Sequence, residues 1–390
     1  MSDVSIADQK VENRIRRCVV VTCFSETQPG YLDFSYRIKS LAREYKLTVL
    51  SQDQLTQPEL MVPNADYQSM GRRSGKLGWL GYLMRCSIYV RKHEPDAIVL
   101  LHSSASPMTL LVGNVPAGLY WNEHPTNLIH LPDGYSPIRY LLAKASHQLV
   151  FLGARHADIV MPIGEEHHED LLAHGCKPER VKLTYMGVGD DFLGAAANRR
   201  VSEAEPLELV YIGTVSVARG RDVMLEGLSE AVRRGHKVNL TIVGAGDDQA
   251  KYCEQRISEL GLDGHLRVVG RVPGSEIPAL LANADLGICL WEDKPWWRFN
   301  PPTKLFEYLV AGLPVLASNI RTHTRYIQNW NNGLIFEYGV AGFADAIEVL
   351  ISHRDRSREM KHCAAQSGQH YLWSKIEPAF LQYMAGLVRT

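Results

Sequence analysis

The sequence predicts an α/β protein made of two Rossmann-like, doubly wound parallel-sheet domains that face each other across a cleft. Its 390 residues are more than one hydrophobic core usually serves. Short β-branched runs alternate with longer amphipathic stretches, the pattern of βαβ units around a parallel sheet. The alternation stops at GAAANRRVSEAEP (194–206), a small-residue and polar stretch without periodicity, and then starts afresh. That stretch reads as a linker between domains 1–195 and 205–370.

In the first series CVVVTC (18–23), KLTVLS (46–51), DAIVLL (96–101), GLYWN (118–122), ADIVMP (157–162) and VKLTY (181–185) read as strands. Helical patterns over 31–45, 74–93, 135–155 and 165–174 lie between them. The second series reads LELVYIG (207–213), VNLTIVG (238–244), HLRVVG (265–270), ADLGICL (284–290) and PVLAS (314–318), with helices near 219–234, 247–260, 275–283 and 302–311. YLWSKIEPAFLQYMAGLV (371–388) carries apolar residues at helical spacing, and the expectation is that segment 371–390 crosses back onto the first domain.

Composition narrows the function. Net charge is −1, so no global field points to nucleic acid. The seven cysteines occur without CxxC pairs, and the polar N-terminal stretch MSDVSIADQKVENRIRR has no apolar core and reads as a short disordered lead. A cytoplasmic location is the expectation. No apolar run is long enough for a spanning helix. EEHHEDLLAHG (165–175) lacks a His pair bracketing a glutamate at metal-binding spacing, and no Gly-x-Ser-x-Gly elbow appears.

Ligands of open parallel sheets sit beyond the carboxyl ends of strands, where loops run into helix N-termini. Four turns qualify. IGTVSVARG (212–220) contains Gly213 and delivers Arg219 to a helix start, either as a surface arginine or as a fork for two phosphate oxygens. IVGAGDDQA (242–250) places Gly244 after a strand but lacks the third glycine of a dinucleotide fingerprint, which disfavours an NAD enzyme. Gly270, Arg271 and Val272 form a third turn. In PPTKLFEYL (301–309) two prolines suit a helix entry, leaving the amides of Thr303, Lys304 and Leu305 and the Lys304 ammonium to hold a diphosphate without a metal. Glu307 shares a face with Lys304 and forms either an i,i+3 ion pair or, in so apolar a helix, a specific contact such as one to ribose hydroxyls.

These segments, YIGTVSVARGRDVMLEGL, LTIVGAGDD, LRVVGRVPGSEIPALLANADLGICLW and PPTKLFEYLVAGLPVLASN with NGLIF after it, resemble in order and spacing the C-terminal domain of retaining glycosyltransferases of the GT-B fold. The resemblance implies that the second domain binds a nucleotide sugar and the first the acceptor. Arg219 then stands on the donor diphosphate, Glu307 on the ribose, and Gly270, Arg271 and Val272 along the base. Pro29, Gly30 and Tyr31 match the glycine-bearing loop bordering acceptor and phosphates. His124, in YWNEHPTN, matches the histidine that reaches the donor sugar, although a hydrogen-bonded core histidine fits the same residue. Three departures stand out. Phe299 replaces the first glutamate of the paired-glutamate motif, Thr214 replaces a second basic residue, and Pro301 and Pro302 remove two amides. Lys304 and Arg298 are the compensating cations, and Arg298 suits an acidic donor sugar.

The implied activity is metal-independent transfer, with retention of configuration, from a nucleoside-diphosphate sugar to a glycan, a lipid-linked or a small-molecule acceptor. His124, Arg219 and Lys304 are the implied catalytic set, and no cofactor is expected beyond the nucleotide sugar. A nucleotide-sugar 2-epimerase and a non-catalytic binding protein of the same fold are the alternatives. MGRRSGKLGWLGYLMRCSIYVRK (70–92) carries Arg72, Arg73, Lys76, Arg85, Arg91 and Lys92 with no acid. It reads either as a core-packing helix with a basic edge or as one resting on an anionic membrane at its cytoplasmic face.

Overall fold

The computed structural model describes residues 16–24, 26, 31–71, 75–128, 136–197 and 205–388. The N-terminal lead, Pro29, Gly30, Arg72, Arg73 and residues 198–204 of the linker lie outside that set. Two six-stranded sheets, parallel throughout, repeat one topology. In the first the chain runs β1 (Arg17–Val21), α1 (Tyr31–Glu44), β2 (Lys46–Ser51), β3 (Ala65–Ser69), α2 (Gly75–His93), β4 (Ala97–Leu100), β5 (Ala117–Trp121), α3 (Pro137–His156), β6 (Ile159–Pro162) and α4 (Glu165–Ala173), with strand order β3-β2-β1-β4-β5-β6.

The second runs β7 (Leu207–Ile212), α5 (Arg221–Arg233), β8 (Val238–Val243), α6 (Asp247–Leu260), β9 (Leu266–Val269), α7 (Ile277–Leu281), β10 (Leu286–Cys289), α8 (Thr303–Val310), β11 (Val315–Ser318), α9 (Arg321–Thr324), β12 (Gly333–Phe336), α10 (Val340–Ser352) and α11 (Ser357–Gly368), ordered β12-β11-β10-β7-β8-β9. Each sheet reverses direction once, between β1 and β4 and between β7 and β10. In such sheets that reversal opens the crevice into which ligands fit. The chain then enters α12 (Trp373–Leu387), which packs on α1 and β5 of the first domain.

The central strands are apolar on both faces because helices cover both, and Val19, Val20, Val21, Ile98, Val99 and Leu100 are all buried. One face of the first sheet packs on α2 and α3 through Tyr82, Leu83, Cys86, Val150, Phe151 and Ala154. The other face joins α1, α12 and the apolar side of α8 in a core continuous between the domains.

VKLTY does not become a strand. Val181 bridges Val160 and two further amides follow, Lys182 N to Val160 O and Thr184 N to Pro162 O, each at 2.8 Å. Pro162 has no N–H to return a bond, so the ladder stops. Two strands fall outside the sequence expectation: β3, whose ADYQS spelling lacks alternation because it is a half-wet edge, and β12, four residues beginning with glycine.

Candidate functional site

A cleft of about 400 Å³ runs between the two sheets at the carboxyl ends of their strands. The first domain contributes Tyr31 and Tyr36 of α1, Asn122 and Glu123 after β5, and the Gly187–Gly189 turn. From the second come Gly213 and Thr214 after β7, Gly244 after β8, Arg271 and Val272 after β9, Trp291 and Trp297 after β10, and Asn300, Pro301, Pro302, Thr303, Lys304 and Glu307 at the entry of α8. Among the residues singled out from sequence, the cleft thus gathers Tyr31, Gly213, Arg219, Gly244, Arg271, Val272, Thr303, Lys304 and Glu307.

Lys304 and Glu307 sit on the cleft face of α8, whose opposite face, Leu305, Phe306, Tyr308 and Leu309, is in the core. Among the described residues the pair forms no ion pair within 4 Å, so the simple surface bridge is not what holds them. The Lys304 Nζ lies 3.6 Å from the centre of the Tyr211 ring. Burial lowers the ammonium to about 7, with the Arg219 charge adding to the effect. Burial also raises the Glu307 carboxyl to about 7, the Lys304 charge opposing and Asp191 adding. Two groups poised at neutrality in one cleft, each short of a counter-charge, are equipped to receive one from a ligand.

Arg219 rests on two indoles, 4.7 Å from the Trp291 ring centre and 4.2 Å from that of Trp297, and the indoles stack on each other at 4.6 Å. Burial depresses its guanidinium, while Tyr211 and Glu123 act the other way. Two desolvated cations therefore face the same space. The turn beneath them depends on glycine. Gly213 has φ +132°, and a Cβ there would lie 3.0 Å from the Lys304 Nζ, while a Cβ on Gly244 would come within 2.6 Å of the Gly213 carbonyl.

Other expected residues are placed elsewhere. The amide of Leu305 is not open, because it donates to Pro302 O at 3.0 Å as the first turn tightens, so the available amides at this entry are those of Thr303 and Lys304. Gly270 does not line the cleft, and its carbonyl accepts from Gly244 N at 3.1 Å. His124 is buried behind the wall. Its Nε2 pairs with Asp170 Oδ2 at 2.8 Å, its Nδ1 accepts from Thr126 N at 3.1 Å, and its ring stacks on Phe299 at 3.9 Å. Phe299, at the position where a glutamate was expected, thus serves as a seam between domains. Next to it Asn300 Oδ1 accepts from His124 N and His167 Nε2, both at 2.9 Å. Arg298 points away, in a forked bond to Asp293 at 2.8 and 2.9 Å.

Sequence reading missed Glu123 and the indole pair. Glu123 Oε2 lies 3.2 Å from His102 Nε2 on the first domain's side of the cleft. The only sequence signal for Trp291 and Trp297 was the crowding of indole and charge in WEDKPWWRFN. Among the described residues no group of three or more His, Cys, Asp or Glu is placed to hold a metal ion.

Known proteins share parts of this sequence and its fold. Residues 196–367 match the family model of glycosyl transferases group 1. The chain is 24% identical over 231 residues to the amylovoran biosynthesis glycosyltransferase AmsK of Erwinia amylovora, covering 58% of this chain and 54% of that protein. It is 22% identical over 235 residues to the D-inositol 3-phosphate glycosyltransferase of Corynebacterium aurimucosum, covering 56% and 54%. The chain thus spans about half the length of the curated relatives it matches. Among solved structures, Anabaena HepE in complex with UDP superposes with a TM-score of 0.73 at 15% identity, covering 95% of this chain and 100% of that one. The chain has the GT-B fold, and its residues 196–367 are similar to the glycosyl transferases group 1.

Proposed function

We propose that the protein transfers a sugar from a nucleoside diphosphate sugar to an acceptor hydroxyl, with retention of configuration and without a metal ion. One observation carries this reading: Arg219, Lys304 and Glu307 converge, desolvated, on the same interdomain cleft. Lys304, Arg219 and the first amides of α8 hold the diphosphate, Glu307 accepts from the ribose hydroxyls, and Arg271 and Val272 border the base. The HepE complexes with UDP and UDP-glucose make uridine the first base to try.

In the transfer step the bond from the anomeric carbon to the diphosphate oxygen breaks and the acceptor oxygen bonds to that carbon from the same side. The acceptor proton passes to the departing phosphate. Negative charge grows on the phosphate oxygens as the bond breaks, so fixed cations in a site of low polarity stabilise the transition state more than the bound donor. The acceptor is a glycan, a lipid-linked or a small molecule, and the carboxylate-free stretch 70–92 meets anionic lipid on the cytoplasmic side.

A donor panel tests the proposal, with products analysed by NMR and with chelator present throughout. A retained anomeric configuration in the product supports it. Isomerised donor without acceptor would identify an epimerase, and UDP binding without turnover on any donor would identify a binding protein.

A further inference from the structure

Helices α2 and α3 lie on one face of the first sheet, where both pack on segment Ser103–Leu110, yet their outward faces are apolar too. On α2, Leu77, Leu80, Met84 and Ile88 are exposed at helical spacing, opposite the buried Tyr82, Cys86 and Val90. On α3, Ile138, Tyr140, Leu141 and Leu142 are 71%, 52%, 67% and 54% exposed. Every residue from Ser136 to Leu142 is exposed, and Ala143 is the first buried one. The start of α3 therefore stands off the body of the protein as an apolar tip. A helix apolar all round normally has both sides covered.

Charge narrows what covers it. Neither helix contains an aspartate or glutamate, although acids and bases are balanced in the whole chain. Lys76, Arg85, Arg91 and Lys92 accompany the first stripe, and Arg139, Lys144 and Arg155 the second. A second copy docked through this face by two-fold symmetry would set basic groups against basic groups. Apolar stripes bordered by cations, on two helices that carry no acid of their own, with a tyrosine at the tip, fit the interface of an anionic bilayer. Position adds to the case. In a parallel sheet the helix after a strand begins at that strand's carboxyl end, so the starts of α2 and α3 share the edge on which the cleft opens.

We propose that α3, through its projecting tip, joins α2 in a single docking face for an anionic bilayer, which brings the mouth of the cleft to the lipid surface where a lipid-carried acceptor presents its hydroxyl. The inference extends the membrane contact proposed for 70–92 and is tested apart from it. Full-length protein is floated with vesicles of phosphatidylcholine containing about one-third phosphatidylglycerol, and with phosphatidylcholine alone.

The expected result is flotation with the anionic vesicles only, reduced at least about fivefold by Leu141→Gln with Leu142→Gln and, separately, by Lys144→Glu with Arg155→Glu, with melting temperature and UDP affinity unchanged. These side chains are exposed and none of them lines the cleft, so loss of folding does not stand in for loss of docking. Flotation lost in Leu77→Gln with Ile88→Gln but kept in both α3 variants would overturn the inference and leave α2 as the membrane contact. Equal binding to neutral vesicles would overturn the anionic component. A concentration-dependent dimer in sedimentation, abolished by the α3 variants, would replace the bilayer with a second copy.

Discussion

Raising the pH should release the nucleotide, and Lys304 sets the expected size of the effect. Its ammonium sits at about 7. A lysine lowered in the folded state is fully charged only well below that value and loses its proton as pH rises through it. Nucleoside diphosphate requires the charged form, so apparent affinity scales with the charged fraction. That fraction is about one-half at pH 7 and about 3% at pH 8.5, a loss of roughly sixteenfold. Glu307 opposes the trend, since its carboxyl, raised to about 7, gains about twofold in ionised fraction over the same interval and accepts ribose hydroxyls better when ionised. The net expectation is a weakening of about eightfold, near 1.2 kcal/mol. The terminal phosphate, with a second pKa of about 6, is already ionised and contributes little.

Titration calorimetry with UDP at several pH values, in two buffers of different ionisation enthalpy, measures both the slope and the proton taken up. Near pH 8 the uptake through Lys304 should approach about one proton per UDP. Lys304→Arg fixes the charge and should abolish the decline, whatever its absolute affinity. An undiminished decline in Lys304→Arg would refute the assignment of the titration to this residue, as would an affinity in the native chain that does not change between pH 7 and 8.5.

Four further outcomes follow from the same geometry. Glu307→Ala should weaken UDP binding about tenfold while costing 2′-deoxy-UDP much less, because the lost contact is to ribose hydroxyls; equal losses for the two ligands would remove the ribose role. Trp297→Leu should raise the KM for the donor by about fivefold through loss of the surface that positions Arg219, and Trp297→Phe should restore most of it, both read in initial-rate assays. Gly213→Ala should lower both the melting temperature and UDP affinity, since φ +132° disfavours any side chain and the new Cβ would press on Lys304. His124→Asn should destabilise the protein by about 1–3 kcal/mol in urea unfolding, through lost packing on Phe299 and the lost bond to Asp170, while UDP affinity changes less than about twofold.

Much of this architecture can be read from residue order. The runs CVVVTC and LELVYIG are apolar on both pleat faces, a spelling that only a doubly covered parallel strand needs, and they mark the centres of the two sheets. PPTKLFEYL located the densest part of the cleft because Lys304 and Glu307 are polar interruptions in a helix otherwise spelled for burial. What stayed hidden depended on tertiary neighbours. Nothing local distinguishes Glu123 from a surface acid, since its importance comes from a strand end facing another domain. The resting place of Arg219 on two indoles more than seventy residues away is likewise a property of the folded chain. His124 shows the converse: its motif pointed to the sugar, but Asp170, Thr126 and Phe299 occupy its ring. Strand β3 was invisible because a wet edge imposes no apolar alternation.

The return of α12 to the first domain means that the polypeptide passes between the two lobes twice. Near the second passage the outgoing and incoming segments are stapled together, Val188 N to Tyr371 O and Trp373 N to Val188 O, both at 2.8 Å. A staple of this kind resists sliding of one lobe along the other at the point where the chain returns. Any swing of the lobes about that staple would have to release the seam that Phe299 and Asn300 make with His124 and His167.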